Sequence, residues 1–234
     1  MNSPGILRQG SGVVALFKPV GLATQAPPGI DSVERWLRDR LGLGAGGYLG
    51  VPHRLDRAVS GVVLFAATPR AARKLSRQFE RREITKTYLA VVEPRDAEAA
   101  GSAPDGDREW RDHLRKIAEQ ARSEIVAATE PAAREAVTSV RRLGGTAADG
   151  PRLLLRLEPQ TGRMHQLRLQ AASRGLPIVG DELYGGPPLG VGADRERPIL
   201  LHAWRIDYDD PDSGERIAVE APLPAHWPEW ARPA

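Results

Sequence analysis

Cysteine is absent from all 234 residues. Its absence excludes disulfides, thiolate zinc sites and a cysteine nucleophile, and it fits a reducing compartment. Lysine is scarce: Lys18, Lys74, Lys86 and Lys116 are the full set, and the rest of the positive charge is arginine. Long apolar runs are also missing. The longest, residues 62–67, falls far short of the ~20 residues that span a bilayer. The opening MNSPGILRQGSGVVALFKP has no basic segment leading into an apolar stretch, so no secretory signal is expected. Together these absences predict a soluble cytoplasmic protein without membrane contact. Excess charge is small too: a net charge of +3 at pH 7 does not by itself argue for nucleic acid, so only local clustering of arginine counts. Neither internal repeats nor long low-complexity segments occur. The length suits one large domain or two small ones, and a single catalytic domain over residues 1–234 is the expectation.

Residues 13–17 read as a short buried strand, ended by Lys18-Pro19 and the loop GLATQAPPG. Asp31-Ser-Val-Glu34 has the form of a capping box, in which acceptor side chains satisfy the free amides of a helix start. Val33, Trp36, Leu37 and Leu41 give that helix an apolar stripe, and Gly42 stops it. The glycine-rich LGLGAGGYLG reads as loop. A second buried strand is predicted over 62–67. A helix begins at Thr68-Pro69, where proline at the first position gives up an amide that has no partner; its buried face is Ala72, Leu75 and Phe79. Residues 88–92 form the next strand. From Pro94 to about Pro131 the pattern weakens, and an insertion at about 95–130 is expected, with AEAAGSAPDGD as a mobile loop and 110–125 helical. Residues 136–142 and 152–158 read as strands, 164–174 as a helix closed by Gly175, and 199–208 with 216–220 as a hairpin around DDPDSG. The fold class that follows is α+β, a central and largely antiparallel mixed sheet with flanking helices.

Three stretches carry more polar groups than their apolar surroundings require. In HRLDRAVSGVVLFA, residues 53–66, Asp56 sits between arginines just ahead of a buried strand. A turn carboxylate that fixes a loop is the plain alternative. His53 and Asp56 alone are too few for a metal, and neither a metal nor a cofactor is expected. In REITKTYLAVVE, residues 82–93, Lys86 and Tyr88 share one side of an extended chain, although a lone strand tyrosine usually serves the core. In EPQTGRMHQLRLQAASRGLPIVGDELYGG, residues 158–186, Arg163, His165, Gln166 and Arg168 crowd onto a helix start. A helix N-terminus favours negative partners, so each arginine there must be held by a carboxylate or await a phosphate. A surface salt bridge accounts for one better than for both. Between the first two stretches, Arg70, Arg73, Lys74, Arg77, Arg81, Arg82 and Lys86 face only Glu80 and Glu83. Arg70, Lys74, Arg77 and Arg81 fall three or four apart, making a basic ridge opposite the apolar face. Such ridges are mostly solvated surface; this one lies between two polar motifs, which makes Arg73 and Arg77 candidates for phosphate contact.

In this order the stretches resemble the signature motifs of the RluA-type family of pseudouridine synthases. HRLDRAVSG resembles that family's catalytic loop, KTYLAVV its lysine–tyrosine strand, and TGRMHQLR with GLPIVGDELYGG its third motif; FKPVGLATQAP and LLHAWRIDYDDPDSGE resemble its opening and closing segments. The resemblance runs from about Val13 to Leu223, the insertion excepted. It implies a central mixed sheet crossed by a catalytic cleft, and isomerisation of uridine to pseudouridine in a structured ribosomal or transfer RNA without a cofactor. It also implies Asp56 as the catalytic aspartate, Tyr88 as the tyrosine that packs on the uracil, and Arg168 as the arginine that pairs with the aspartate and favours its ionised form. Arg54 corresponds to the arginine that fills the space left by the flipped base. His53, Lys86, Arg163, His165, Gln166, Arg73 and Arg77 complete the expected RNA-contacting set. Val59, Gln170 and Pro94 depart from the family's usual residues without removing a catalytic group. The small N-terminal RNA-binding domain of many relatives is expected to be absent, and the protein to act as a monomer. Two other readings stand beside this one. A non-catalytic RNA-binding protein on the same scaffold would keep the ridge and lose Asp56 or Tyr88. A nucleoside hydrolase would need a second acid and would release free uracil.

Overall fold

The computed structural model of the chain describes residues 3–44, 46–146, 151–189 and 198–233. In chain order its elements are β1 (Gly5–Gly10), β2 (Val13–Lys18), α1 (Val33–Arg40), β3 (Ser60–Ala66), α2 (Pro69–Glu80), β4 (Thr85–Val92), α3 (Ala97–Ser102), β5 (Asp107–Lys116), β6 (Ser123–Ile125), β7 (Arg134–Thr146), β8 (Arg152–Pro159), α4 (Gln166–Ser173), β9 (Leu201–Asp209) and β10 (Arg216–Glu220). They group into two compact units. One holds the described residues of Met1–Lys86 with Pro198 and His202–His226; the other holds those of Thr87–Val191, Ile199–Leu201 and Trp227–Ala234.

In the first unit the strand order is β1-β2-β3-β9, with β10 paired to β9. The pairings are antiparallel except that β3 meets β9 in parallel, Ser60 opposite His202 and Gly61 opposite Ala203. Every residue of β2 and β3 is buried, which is why both read as unbroken apolar runs rather than alternations. Alternate residues Val13, Ala15 and Phe17 of β2, and Val62, Leu64 and Ala66 of β3, join Ala71 and Leu75 of α2 in one core cluster. Thr68 caps α2 by accepting the Ala71 amide, and Pro69 occupies the first turn. The α1 start differs by one residue from the expected capping box. Ser32, not Asp31, is the cap, its hydroxyl accepting the Arg35 amide at 3.1 Å. Gly42 follows the helix end with φ +63°. Of the glycine-rich loop, Ala45 lies outside the described residues. Strand β1 was not expected; GILRQG is mostly exposed and has too little apolar alternation to announce an edge strand.

The second unit is the antiparallel order β4-β8-β7-β5-β6. Here the expectation for residues 95–130 is corrected. The segment AEAAGSAPDGD contains the helix α3, capped by Asp96 on the Ala99 amide at 2.8 Å. Residues 110–125 are not helical: β5 pairs with β7 from Asp107 opposite Arg141 to Leu114 opposite Arg134. The error has a physical origin. Trp110 and Leu114, both buried, are four residues apart, a spacing that places side chains on one face of a helix and of a strand alike. The eight-residue partner on β7 decides between them. The insertion is therefore part of the sheet.

One position shows how tightly the first unit is drawn together. Gly61, the last residue of the HRLDRAVSG motif, has φ +126°, and a β-carbon there would lie 2.2 Å from the Ala203 carbonyl oxygen and 2.6 Å from its amide nitrogen. The parallel β3–β9 contact exists only because this residue has no side chain. Gly61→Ala is expected to destabilise the protein by about 3 kcal/mol or more, since strain and a backbone clash combine. Gly214→Ala, with φ +77° but open space around it, is expected to cost about 1 kcal/mol. Urea unfolding of both variants checks the contrast, and equal losses would mean that the close approach is not what constrains Gly61.

Candidate active site

In the first unit, the loop that carries Asp56 is fastened to the segment following β2. Lys18, the last residue of β2, is completely buried. Its ammonium donates to the carbonyls of Pro19 at 2.9 Å, Leu22 at 2.7 Å and Arg57 at 3.2 Å. The Arg57 carbonyl also accepts the Gly21 amide at 2.9 Å, and Arg57 Nε donates to the Gly21 carbonyl at 2.6 Å. On the other flank, Thr24 Oγ1 donates to the Leu55 carbonyl and accepts the Leu55 amide, both at 3.1 Å. Leu55 and Arg57 are thus pinned on either side of Asp56, whose carbonyl accepts the Val59 amide at 3.0 Å in a turn. Asp56 is half-buried and Arg54 exposed. Burial lowers the Lys18 pKa to about 7; the Asp56 carboxylate opposes the shift and Arg57 adds to it.

Two histidines of this unit act as neutral supports. His53 Nε2 accepts the Leu64 amide of β3 at 2.9 Å, and its ring packs 4.8 Å from that of Phe79 on α2. Burial, with Lys86 contributing, pushes its pKa down to about 3. The imidazole carries a backbone bond rather than a charge. His202 on β9 is buried, with its pKa lowered by desolvation to about 4. Its Nε2 faces the Ala221 carbonyl at 3.4 Å and its Nδ1 the Ser60 hydroxyl at 2.8 Å. The carbonyl requires the proton on Nε2, so Ser60 donates to Nδ1.

The basic ridge is exposed along α2. Arg70 is paired with Asp212 at 3.3 Å and Arg81 with Glu83 at 3.8 Å, all well exposed. Among the described residues Arg73, Lys74 and Arg77 have no carboxylate in salt-bridge range. At β4, Lys86 and Tyr88 are half-buried while Thr87 and Leu89 are buried, as alternation along a strand demands. Burial lowers the Lys86 pKa to about 8. Tyr88 lies opposite Leu157 of β8.

In the second unit the TGRMHQLR segment is organised by a buried amide. Gln166 Oε1 accepts the Thr161 hydroxyl at 2.8 Å and the Arg163 amide at 3.0 Å; its Nε2 donates to the Val137 carbonyl at 3.1 Å and Thr138 Oγ1 at 2.9 Å. This fixes the turn onto β7. Arg163 is exposed, with Nε on the Glu135 carbonyl at 2.9 Å. His165, at φ +55°, precedes α4 without a side-chain cap bond, and its Nδ1 meets the Tyr184 hydroxyl at 3.0 Å. Arg168 forms a two-pronged pair with Asp181, Nε to Oδ2 at 2.7 Å and Nη2 to Oδ1 at 2.6 Å. Gln170 is buried, donating to Asp112 at 2.8 Å and accepting the Thr138 hydroxyl at 2.7 Å. The family departure at this position is thereby fully hydrogen-bonded.

The sequence pattern missed four anchoring side chains: Lys18, Thr24, Asp181 and Tyr184. A lysine at the end of the apolar run VVALFK was the available signal for the first. The others look like ordinary loop and aromatic residues until their partners are known. Among the described residues no three His, Asp or Glu side chains gather as a metal site would require, and no helix is long and apolar enough to cross a membrane.

Residues 12–173 match the family model described as RNA pseudouridylate synthase. The chain is similar to tRNA pseudouridine synthase C of Salmonella typhimurium, 31% identical over 95% of this chain and 86% of that protein. It is also similar to ribosomal large subunit pseudouridine synthase C of Rickettsia felis, 30% identical over 95% and 68%. Its extent is about two thirds of several such relatives, 66% of an uncharacterised RNA pseudouridine synthase of Synechocystis among them. In fold it resembles human RNA pseudouridylate synthase domain containing 1, with a TM-score of 0.72 at 23% identity, over 95% of this chain and 84% of that one.

The neutral histidines make stability depend on pH in a definite direction. Both are held far below the ordinary 6.5 in the fold and return to it on unfolding. Well above pH 6.5 neither state holds the proton. As pH falls toward 4 the unfolded chain takes up protons that the fold refuses, so stability is lost, by about 2 kcal/mol per imidazole at pH 5. His202→Gln is expected to shrink the loss of unfolding free energy between pH 7 and 5 by about that amount. Urea titrations at the two pH values read it directly, and an unchanged difference would mean that His202 titrates alike in both states.

Proposed function

The chain belongs to the RNA pseudouridylate synthase family, and from that premise we propose that it isomerises uridine to pseudouridine in structured ribosomal or transfer RNA, in the cytoplasm and as a monomer. The relatives named above are called ribosomal large subunit and tRNA pseudouridine synthases, which supports both classes of target. The reaction breaks the bond from ribose C1′ to uracil N1, turns the base and closes a bond from C1′ to C5. The C5 proton is lost and N1 ends protonated, so atoms balance without water or a redox partner.

Asp56 is the carboxylate of this reading. It attacks C1′ or removes the C2′ proton, and either step needs an ionised oxygen held beside the sugar. What carries the proposal is the fastening of Leu55 and Arg57 by Thr24, Gly21 and Lys18. A loop fixed on both flanks presents its carboxylate without reorganising during the reaction. The uracil has to leave its stack, at a cost of a few kcal/mol. Arg54, exposed two residues away, offsets part of that by filling the vacated space. Tyr88 gives the extruded base a stacking face, and Arg168 is the arginine that the family resemblance assigns to the aspartate. Arg163, His165 and Lys86 extend the RNA contact, while His53 and Gln166 contribute by holding the loops that present it.

The α2 cations Arg73, Lys74 and Arg77 supply sequence-independent affinity. Arg73→Glu with Arg77→Glu is expected to weaken RNA binding at every sequence and to flatten its salt dependence by about one unit of slope for each phosphate no longer neutralised. Titrations at several salt concentrations check this; wild-type affinity and slope would make the ridge ordinary surface.

Asp56→Asn is expected to abolish pseudouridine while leaving RNA affinity within about tenfold, or 1.4 kcal/mol, of wild type. Asparagine keeps the size of the side chain but not its ionised oxygen. Binding titration and mass-spectrometric detection of pseudouridine on the same RNA form the test, and appreciable turnover by this variant would remove Asp56 from its role.

A further inference from the structure

Tyr48, at the end of the glycine-rich loop of the first unit, has no part in the chemistry above and is not folded away. It is 43% exposed, and its hydroxyl has no hydrogen-bond partner among the described residues. The backbone that carries it is nonetheless held on both flanks. Arg38 of α1 donates Nη1 to the Gly47 carbonyl at 2.8 Å. On the other side Gly50 exchanges two backbone bonds with Ala66 at the end of β3, at 2.8 and 2.9 Å. A single exposed tyrosine is ordinary surface, and one on a loose loop would lose much of any binding energy in becoming ordered. This one stands on a fixed loop.

The side chain is directed toward α2. A β-carbon on Gly50 would lie 3.0 Å from the Tyr48 hydroxyl and 3.1 Å from the Ala72 β-carbon, so the phenol reaches across a glycine toward that helix. Ala72 and Ser76 share one face of α2, and the exposed Arg73 and Arg77 form the adjoining face. Neither arginine has a carboxylate in salt-bridge range among the described residues. Phe79, seven residues beyond Ala72 on the same face, packs its ring 4.8 Å from that of His53, where the Asp56 loop begins. At the rise of an α-helix this sets Tyr48 roughly 10 Å along α2 from that loop, a place for a neighbouring nucleotide and not for the reacting one. An open aromatic ring beside unmatched guanidinium groups suits an unpaired nucleotide: its base stacks while its phosphates meet the cations. A paired base already has its stacking partners and offers no free face. We propose that Tyr48 is a stacking platform for an unpaired nucleotide flanking the target uridine, with Arg73 and Arg77 on the phosphates beside it. This inference rests on the reading of the chain as an enzyme that binds RNA.

The test compares Tyr48→Ala, Tyr48→Phe and Arg73→Glu with the wild-type chain on two fluorescent probes. One is an oligocytidylate, which has no uridine to turn over; the other is a ribose-phosphate chain of the same length without bases. Tm is recorded for every variant. Tyr48→Ala is expected to weaken oligocytidylate binding about tenfold, with the abasic chain bound as by wild type and the salt slope unchanged, because no phosphate contact is lost. Tyr48→Phe keeps the ring and should bind both probes as wild type does. Arg73→Glu should weaken both probes and lower the slope by about one unit. A loss under about threefold in Tyr48→Ala, the same loss on both probes, or a wild-type chain that binds oligocytidylate no tighter than the abasic chain would overturn the proposal. If Tyr48→Ala lowers Tm, Tyr48→Leu replaces it, keeping apolar bulk without an aromatic face. A loss of about threefold or more that Tyr48→Phe does not share then supports stacking, and a smaller one refutes it. Pseudouridine is assayed in parallel on unmodified ribosomal and transfer RNA transcripts. Its absence with the wild-type chain would overturn the proposed function, whereas its formation with an unchanged Tyr48→Ala affinity would overturn the platform alone.

Discussion

A buried ammonium spanning three carbonyls is the contact on which the first unit's candidate site depends. Lys18 ends a strand with no exposed residue, and the chain must leave that strand through a turn whose carbonyls point inward. Buried backbone acceptors without partners cost of the order of 1–3 kcal/mol each. One lysine satisfies Pro19 and Leu22 and, through Arg57, binds a second loop to the first. The depressed pKa records the expense of keeping a cation there. It also explains why the residue is a lysine: its three donors radiate from one atom, whereas a planar guanidinium could not turn toward three carbonyls in different directions.

The second unit solves a similar problem with neutral amides. Gln166 and Gln170 are buried, and each uses both ends of its side chain. Gln166 closes the turn before α4, and Gln170 ties α4 to Asp112 of β5 and Thr138 of β7. Networks of this kind specify a unique arrangement because a partial set of bonds would be worse than an apolar core. The Arg168–Asp181 pair belongs with them, a buried guanidinium with Nε and Nη2 both held by one carboxylate.

Charge is distributed unevenly over the surface. Two arginines of β5 are matched by neighbouring carboxylates, Arg111 with Glu109 and Glu135, and Arg115 with Glu124 and Glu130. On α2 the central cations Arg73, Lys74 and Arg77 have no carboxylate in salt-bridge range among the described residues. A net charge of +3 therefore understates the positive potential of one helix face, because compensation elsewhere cancels in the sum but not locally.

Several features were settled by the sequence alone. Apolar runs at 62–67 and 88–92 had to be buried strands, Thr68-Pro69 had to start a helix, and DDPDSG had to turn, since each rests on local dihedral preference or on burial that needs no distant partner. The motif order also marked the segments bearing Asp56, Tyr88 and Arg168. Only tertiary structure decided the rest. Asp107–Lys116 became a strand because β7 offered a ladder to a segment whose spacing suits either state. Ser32 rather than Asp31 took the helix cap, a choice between adjacent acceptors that depends on the entry angle of the chain. His53 became a half-buried acceptor and Asp181 a guanidinium holder because Leu64 and Arg168 lie 11 and 13 residues away in sequence yet within hydrogen-bond reach in space. Local propensity fixes what a segment can be; the partner of a buried polar group is a property of the fold, since only packing determines which donors and acceptors are shut away from water together.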